Sequence, residues 1–449
     1  MIPIVTPEEM AAIDAAAPEP VEELIERAGA AVARAARTML GGTYGRVVNV
    51  IAGKGNNGAD GRAAARRLEA AGVQVRTFDA AECPATLPSA DLVIDAAYGT
   101  GFTGVWKAPD VGDAAVLAVD LPSGVDGLTG EGGGRPLAAA RTVTFAAFKP
   151  GLLFADGRAL AGDVDVADIG LETASASAHV IDGDDVASWW CPRPPAAHKW
   201  VRGVRVIAGS PGMSGAAHLA SGAAQRAGSG MVTLSSPGTD ADAPVEVVRR
   251  ALPSSGWSAA ALDQLGRFHA LVIGPGLGRE DNTVEAVRAT VAAAELPVLV
   301  DGDGLFALAS SGAASVLRER RCPTVLTPHD GEFAQLAGHR PGADRIAACR
   351  LMAADLGCVV LLKGPTTVVA DASGEVLVSS TGDSRLATAG TGDVLSGIIG
   401  ALLASGVPAL QAAAAGAWIH GAAARLGPPV GLVASDLLDL LPTVVGSLA

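Results

Sequence analysis

Eight short apolar runs, each passing straight into a turn of small or polar residues, constrain this chain more than any other feature. In the first half the runs are 47–51, 91–95 and 116–119. They lead into G-K-G-N-N-G-A-D-G (53–61), A-A-Y-G-T-G and D-L-P-S-G-V-D (120–126). In the second half they are 204–208, 271–273, 298–300, 325–326 and 359–362. These lead into G-S-P-G-M-S-G-A (209–216), G-P-G-L-G, D-G-D-G, T-P-H-D-G-E and K-G-P-T-T-V. Continuous apolar runs bounded by such turns read as strands buried on both faces, and helical patterns between them read as βαβ units. The expected fold class is therefore α/β, with parallel strands whose carboxyl ends share one edge, where ligands bind in such sheets. At 449 residues the chain holds more than one domain. The pattern loosens after Leu171 into a Ser/Ala-rich stretch and C-P-R-P-P, so the domains are expected at 1–173 and 178–449.

The local signals agree with that frame. Thr6 followed by Pro7, Glu8 and Glu9 is a helix start. A longer helix is expected over 21–39, with Leu24, Ile25, Ala28, Ala31 and Val32 on one face and Gly41-Gly42 as its stop. A net charge of −14 argues against nucleic acid or an anionic membrane surface as partner. No run of 18 apolar residues occurs, and no basic-then-apolar leader follows Met1, so the expectation is a soluble, cytoplasmic protein without membrane contact. The cysteines are scattered without C-x-x-C spacing, which speaks against a disulfide framework or zinc site. Alanine-rich apolar helices lead to the expectation of a homo-oligomer, with no symmetry implied. Among 33 basic residues, lysine occurs only at 54, 107, 149, 199 and 363, so its few positions merit inspection.

The chemistry concentrates at turns. Residues 387–397 read A-T-A-G-T-G-D-V-L-S-G and open an apolar helical run. A helix start preceded by glycines offers unpaired N–H groups and a positive dipole end to an oxyanion, and Asp393 in the same turn is a candidate base for a hydroxyl. Together these suit phosphoryl transfer, although a plain helix capped by Thr391 or Asp393 would use the same residues. The 53–61 loop is neither a Walker A loop nor a strict G-x-G-x-x-G fingerprint. It offers Asn56, Asn57 and Asp60 to a polar ligand or cation, against the alternative of a solvated Asn-Gly turn. Asn57, Asp95, Asp120 and Ser123 would converge at one sheet edge, an oxygen-rich set suited to a hard cation. His329 reads either as a turn histidine or as a ligand contact, and Lys363 as either a phosphate contact or half of a salt bridge.

These pieces, in this order, resemble one family along nearly the whole chain: the bifunctional NAD(P)H-hydrate repair enzymes, an epimerase fused to an ADP-dependent dehydratase. The resemblance rests on T-P-E-E-M, E-R-A-G, G-N-N-G-A-D-G, D-A-A-Y-G-T-G, V-D-L-P-S-G-V-D and F-K-P-G in the first half. In the second it rests on H-K-W-V-R-G, A-G-S-P-G-M-S-G-A, G-P-G-L-G, T-P-H-D-G-E, K-G-P-T-T-V and G-T-G-D-V-L-S-G. It implies a Rossmann-like αβα domain followed by a ribokinase-like αβα domain. It implies that Asn56, Asn57, Gly58, Ala59, Asp60, Gly99, Thr100, Gly101, Phe102, Thr103, Gly104, Val105 and Asp120 hold the hydrated nicotinamide nucleotide for epimerisation. Potassium would sit on Asn57, Asp95 and Ser123, and Asp120 would be the acid/base. In the dehydratase, Ala216, Gly276, His329 and Asp393 would line the hydrate site, with Asp393 catalytic. Lys363, Gly364, Pro365, Thr366, Thr367 and Gly392 would contact ADP, accompanied by magnesium.

The substrates implied are the hydrates of NADH and NADPH, with ADP as the phosphate donor. Ala59 and Ala389 stand where the family usually has glycine, and Gly302 stands where D-A-D is common. Two rivals remain open at this level. One is an ATP-dependent small-molecule kinase of the ribokinase-like class, which explains the G-T-G-D turn but not the first half. The other gives the first half only a nucleotide-sensing or protein-binding role.

Overall fold

The structure, a computed structural model, describes residues 1–309 and 313–448. The chain divides into two compact units, Ile2–Ala178 and His179–Ala449, with Met1 grouped with the second.

The first unit is built on six strands, all parallel, in the order Gln74–Asp79, Val47–Ala52, Leu92–Ala96, Ala115–Val119, Arg141–Phe145, Asp163–Ala167. From Val47–Ala52 the chain steps outward to one side and then returns to the other. The strand order therefore reverses between Val47–Ala52 and Leu92–Ala96, and a crevice opens beyond their carboxyl ends. Helix Val21–Leu40 covers one face, burying Leu24, Ala28, Val32 and Ala36 at a four-residue spacing, and Gly41 at φ +63° ends it. Its partner is Asn56–Ala70. That helix begins inside the glycine-rich loop rather than after it, so Asn56 to Asp60 form its first turn. Ala59 is thus helical and not among the residues with positive φ. The two helices meet closely because Gly29 has no side chain: a Cβ there would lie 2.4 Å from the Ala63 methyl.

The second unit repeats the scheme. From Val359–Leu362 the sheet runs through Thr324–Leu326, Val298–Val300, Ala270–Ile273, Gly203–Ile207, Met231–Ser235 and Val248–Arg249, all parallel. Thr367–Ala370 and Val376–Ser379 then extend it antiparallel. Sequence reading does not delineate these two strands; only a few residues separate them from each other and from Leu362, which suffices for hairpins and not for crossovers. The order reverses between Gly203–Ile207 and Ala270–Ile273. The loops 209–216 and 274–278 leave the sheet at that point. Helix Thr391–Ala404 is apolar nearly all round and buried at most positions, packing against Ser214–Arg226 and Ala409–Leu426. Each fully buried Leu, Ile or Val there contributes about 2 kcal/mol. Small residues set the spacing: a Cβ on Gly397 would fall 2.2 Å from the Ala220 carbonyl oxygen. Trp189 and Trp190 pack partly buried against this core.

Candidate functional sites

In the first unit a cavity of about 630 Å³ opens where the strand order reverses. Its polar wall contains Asn57, Asp60, Thr100, Asp120 and Lys149, and its apolar wall includes Leu24, Ile25 and Phe102. Asn56, Gly99, Gly101 and Thr103 also line it. Gly58 and Ala59 lie beneath, in the helix turn: Gly58 packs so tightly on Gly53 that a Cβ would fall 1.9 Å from its carbonyl oxygen. Gly104 and Val105 are not in the lining, and Val105 is 79% exposed.

Asp120 follows the strand Ala115–Val119 in a left-handed conformation, φ +67°, that a non-glycine residue holds only where its surroundings dictate it. Oδ2 accepts from the Thr100 N–H (2.8 Å) and Oγ1 (2.5 Å). Oδ1 accepts from Thr144 Oγ1 (3.1 Å) and pairs with Lys149 Nζ at 3.0 Å. Burial pushes the Asp120 carboxyl up, but Lys149 and Thr100 together outweigh it and hold it below the ordinary range. Lys149 is 1% exposed and also donates to Thr144 Oγ1, Phe145 O and Ala147 O. Asp60 is the opposite case. It is buried, and burial followed by repulsion from Asp120 and Asp14 pushes it up to about 8. Glycine is needed at 99, since a Cβ there would lie 2.8 Å from Asp120 Oδ2 and 3.2 Å from Asn57 Oδ1.

A second polar nest lies at the same sheet edge. The Asp95 carboxylate accepts from the Ser123 N–H (2.9 Å) and Oγ (2.6 Å), yet burial still pushes it up to about 6. Both polar atoms of the Asn57 amide are buried without a hydrogen-bond partner. A buried amide with neither polar atom paired costs free energy unless something completes it. Amide oxygen, carboxylate and hydroxyl are the donors a hard monovalent cation prefers, so the residues fit potassium.

In the second unit, Gly390 takes φ +91° as the N-cap of Thr391–Ala404, which turns the first amides of that helix toward the sheet edge. A Cβ on Gly392 would sit 3.6 Å from Lys363 Nζ and 3.9 Å from Asp301 Oδ2. Lys363 is pinned there by Asp301 Oδ1 at 2.7 Å and Glu332 Oε2 at 3.6 Å, while Ser396 Oγ donates to Asp301 Oδ2 at 2.7 Å. Burial pushes Asp301 up, but Lys363 overrides it and holds the carboxyl low. For Asp393 the balance goes the other way: burial first, then repulsion from Asp301, pushes it up to about 7 against the pull of Lys363.

Gly276, at φ +62°, lies against Ala216: a Cβ there would come 2.9 Å from the Ala216 methyl. His329 is the N-cap of Asp330–Ala337, its Nδ1 accepting from the Gly331 and Glu332 N–H groups. It reaches the lysine only through Glu332, whose carboxylate accepts the His329 N–H. Lys363 to Thr366 form the hairpin turn into Thr367–Ala370. Arg345, paired with Asp330, donates to the Lys363 carbonyl, and Thr367 Oγ1 donates to the Gly364 carbonyl. A Cβ on Gly382 would lie 2.8 Å from the Pro365 carbonyl.

Sequence reading did not single out Asp14, Tyr98, Asp301, Glu332, Ser396 or His420. Four of them stood inside motifs it used, and what was missing was proximity: Ser396 and Asp301 are 95 residues apart. Asp14 carried only the signal of a lone carboxylate late in an alanine-rich helix, Pro7–Ala16.

The comparisons with known proteins bear on both units. A family model described as NAD(P)H-hydrate dehydratase matches residues 204–442, and one described as YjeF-related protein N-terminus matches 21–86 and 79–151. The bifunctional NAD(P)H-hydrate repair enzyme Nnr of Moorella thermoacetica is 35% identical, over 99% of this chain and 97% of that protein. The chain belongs to the bifunctional NAD(P)H-hydrate repair enzyme family. The Mycobacterium tuberculosis enzyme of the same name is 42% identical over 85% of this chain and 84% of its own length. Among solved structures, the ADP/ATP-dependent NAD(P)H-hydrate dehydratase of Bacillus subtilis, co-crystallised with ATP/Mg2+, is 30% identical with TM-score 0.52, covering 60% of this chain and 98% of that one. A ribokinase-like protein of Enterococcus faecalis (21% identity, TM-score 0.53, 61% and 97% covered) shares the fold. The α/β expectation, with a ribokinase-like second half, therefore holds.

Proposed function

We propose that this family member restores damaged nicotinamide nucleotides in two steps. The unit Ile2–Ala178 interconverts the R and S hydrates of NADH and NADPH, and His179–Ala449 dehydrates the S form at the expense of ADP. The observation that carries the second step is the raised Asp393 carboxyl beside a glycine-capped helix start and a lysine held at that start. A base poised near neutrality, next to backbone donors and a cation, is what transfer of a phosphoryl group to a hydroxyl requires.

In this reading the Asp393 carboxylate takes the proton of the C6 hydroxyl as that oxygen attacks the β-phosphate of ADP. The N–H groups around Gly390 to Gly392 receive the phosphoryl oxygens, and the turn Lys363 to Thr367 holds the nucleotide. Ala216, Gly276 and His329 face the hydrate. Phosphate then leaves C6 far more readily than hydroxide would, pushed out by the ring nitrogen lone pair, and loss of a C5 proton to water restores the dihydropyridine, with AMP as the other product. Among the described residues no group of three or more His, Cys, Asp or Glu is placed to hold a metal. We propose that Mg2+ would come bound to the nucleotide rather than to a protein metal site and would supply shielding of phosphate charge. In the first unit Asp120 is the acid/base group and residues 56–60 and 99–103 hold the hydrate; Asn57, Asp95 and Ser123 would hold K+, which would supply a fixed positive charge at that sheet edge. A soluble, cytoplasmic homo-oligomer completes the reading. Among the described residues no helix is long and apolar enough to cross a membrane.

The test is recovery of reduced-nicotinamide absorbance from mixed hydrate epimers with ADP, with ATP and with no nucleotide. Full recovery with ADP supports both steps. No recovery with either nucleotide favours the small-molecule kinase instead.

A further inference from the structure

The cavity of the first unit holds two carboxyl groups in opposite circumstances. Asp120 is surrounded by donors: Thr100 through nitrogen and oxygen, Thr144 through its hydroxyl, and the Lys149 ammonium. Asp60 comes from the helix Asn56–Ala70, lines the same cavity, is 7% exposed, and is close enough to Asp120 to feel its charge. The other ionisable groups of the lining are Asp14 from Pro7–Ala16, Lys54, Tyr98 and Lys149; helix Val21–Leu40 contributes only Val21, Leu24 and Ile25. Lys149 is committed to Asp120.

We propose that Asp60 is a second catalytic residue of epimerisation, the proton donor opposed to Asp120. This rests on the reading of the first unit as the epimerase. Its carboxyl, pushed up to about 8, keeps the proton at neutral pH while Asp120 stays ionised. Two carboxyls whose environments push them apart in this way divide the acid and base roles between them. Asp60 gives its proton to the C6 hydroxyl as the C6–O bond breaks, and the ring nitrogen lone pair forms a double bond to C6. Water leaves, and a water then adds to C6 from the other face, its proton going to Asp120 as the electron pair returns to nitrogen. Asp60 ends as carboxylate and Asp120 as acid, which is the state that runs the inversion in the reverse direction. Exchange of one proton through the cavity water resets the pair.

The experiment uses the full chain without nucleotide, so that dehydration is idle, and follows chromatographically resolved epimers approaching equilibrium above the spontaneous rate. Asp60→Asn keeps the shape and a hydrogen-bond donor but cannot surrender a proton. It is expected to lower kcat about 100-fold or more, with KM within a few-fold of wild type. Asp60→Ala is expected to regain rate with added acetic acid as an external donor. Full epimerisation by Asp60→Asn, or a loss confined to KM, overturns the proposal and leaves Asp60 a binding group. Absence of both variants' activity together with no rescue, in protein that still dehydrates with ADP and melts like wild type, also overturns it. A wild-type chain that does not accelerate interconversion refutes the underlying reading of the unit instead.

Discussion

Each unit carries a lysine paired with a buried aspartate at a strand end, and each also holds an aspartate whose carboxyl burial pushes up. In the first unit the pair is Lys149–Asp120 at 3.0 Å and the strained neighbour is Asp60, at about 8. In the second the pair is Lys363–Asp301 at 2.7 Å and the neighbour is Asp393, at about 7. The surroundings differ. Lys149 spends its other donors on Thr144 and two backbone carbonyls, so its charge is consumed by the protein. Lys363 stands beside Gly392 at an open helix start, with a more distant second carboxylate at 3.6 Å. One lysine sets a carboxylate's charge, and the other waits for a ligand's. In the proposed reading, the same ion pair supports proton transfer to and from a hydroxyl in one unit and phosphoryl transfer in the other.

The sharpest way to break the comparison is to remove the base of one unit alone. Asp393→Asn is expected to lower dehydration by about 100- to 10,000-fold while epimer interconversion continues unchanged, read by resolving the epimers with ADP present. Asp120→Asn should do the reverse. It also leaves the Lys149 ammonium buried without its carboxylate, at a cost of about 3–5 kcal/mol, visible as a lower melting temperature.

The pH profile sharpens it further. Because burial and Asp301 raise Asp393 to about 7, its carboxylate form fills only as pH rises through that value. The kcat/KM for dehydration should therefore climb from pH 6 to 8 and level off. A rate already flat across that range would mean that Asp393 is not the base. Gly390→Ala is a milder perturbation. Its φ of +91° disfavours a side chain, and the new methyl would meet Leu219 Cδ1 at 2.5 Å. The cost is about 1–2 kcal/mol of strain, expected to appear as a higher KM for the nucleotide. The smallest effect concerns potassium: replacing Na+ by K+ should raise the melting temperature of the first unit by about 2–4 °C per kcal/mol of binding, and Asn57→Ala should abolish the difference.

Much of this was legible in the sequence because strand and turn alternate so plainly. The strand ends at Ala52, Ala96 and Val119 fell within one residue of where the apolar runs stopped, and the polar groups just beyond them do share an edge. Boundaries erred where glycine was read as turn alone: the loop 53–61 is mostly the first turns of a helix. The antiparallel hairpins beyond Leu362 were missed because a buried strand shows the same composition whatever its direction. At the sites, residue types were readable but pairings were not. Nothing in the sequence joins Lys363 to Asp301, 62 residues away, or decides that Asp120 and Asp60 titrate oppositely. That follows from burial and from which donors converge, and both are properties of the fold. His420 makes the same point: sunk in the helix Ala409–Leu426, it is pushed down to about 4 by burial and Lys363, a neutral ring behind the Thr391 turn.

The central claim is that the two chemistries are separable and each rests on its own aspartate. The most direct test incubates the mixed epimers with ADP and compares wild type, Asp393→Asn and Asp120→Asn, resolving both epimers over time. Wild type should consume both epimers. Asp393→Asn should equilibrate them without consuming either, and Asp120→Asn should consume the S form quickly and the R form only at the spontaneous rate. Consumption of both epimers at wild-type rates by either variant would contradict the account.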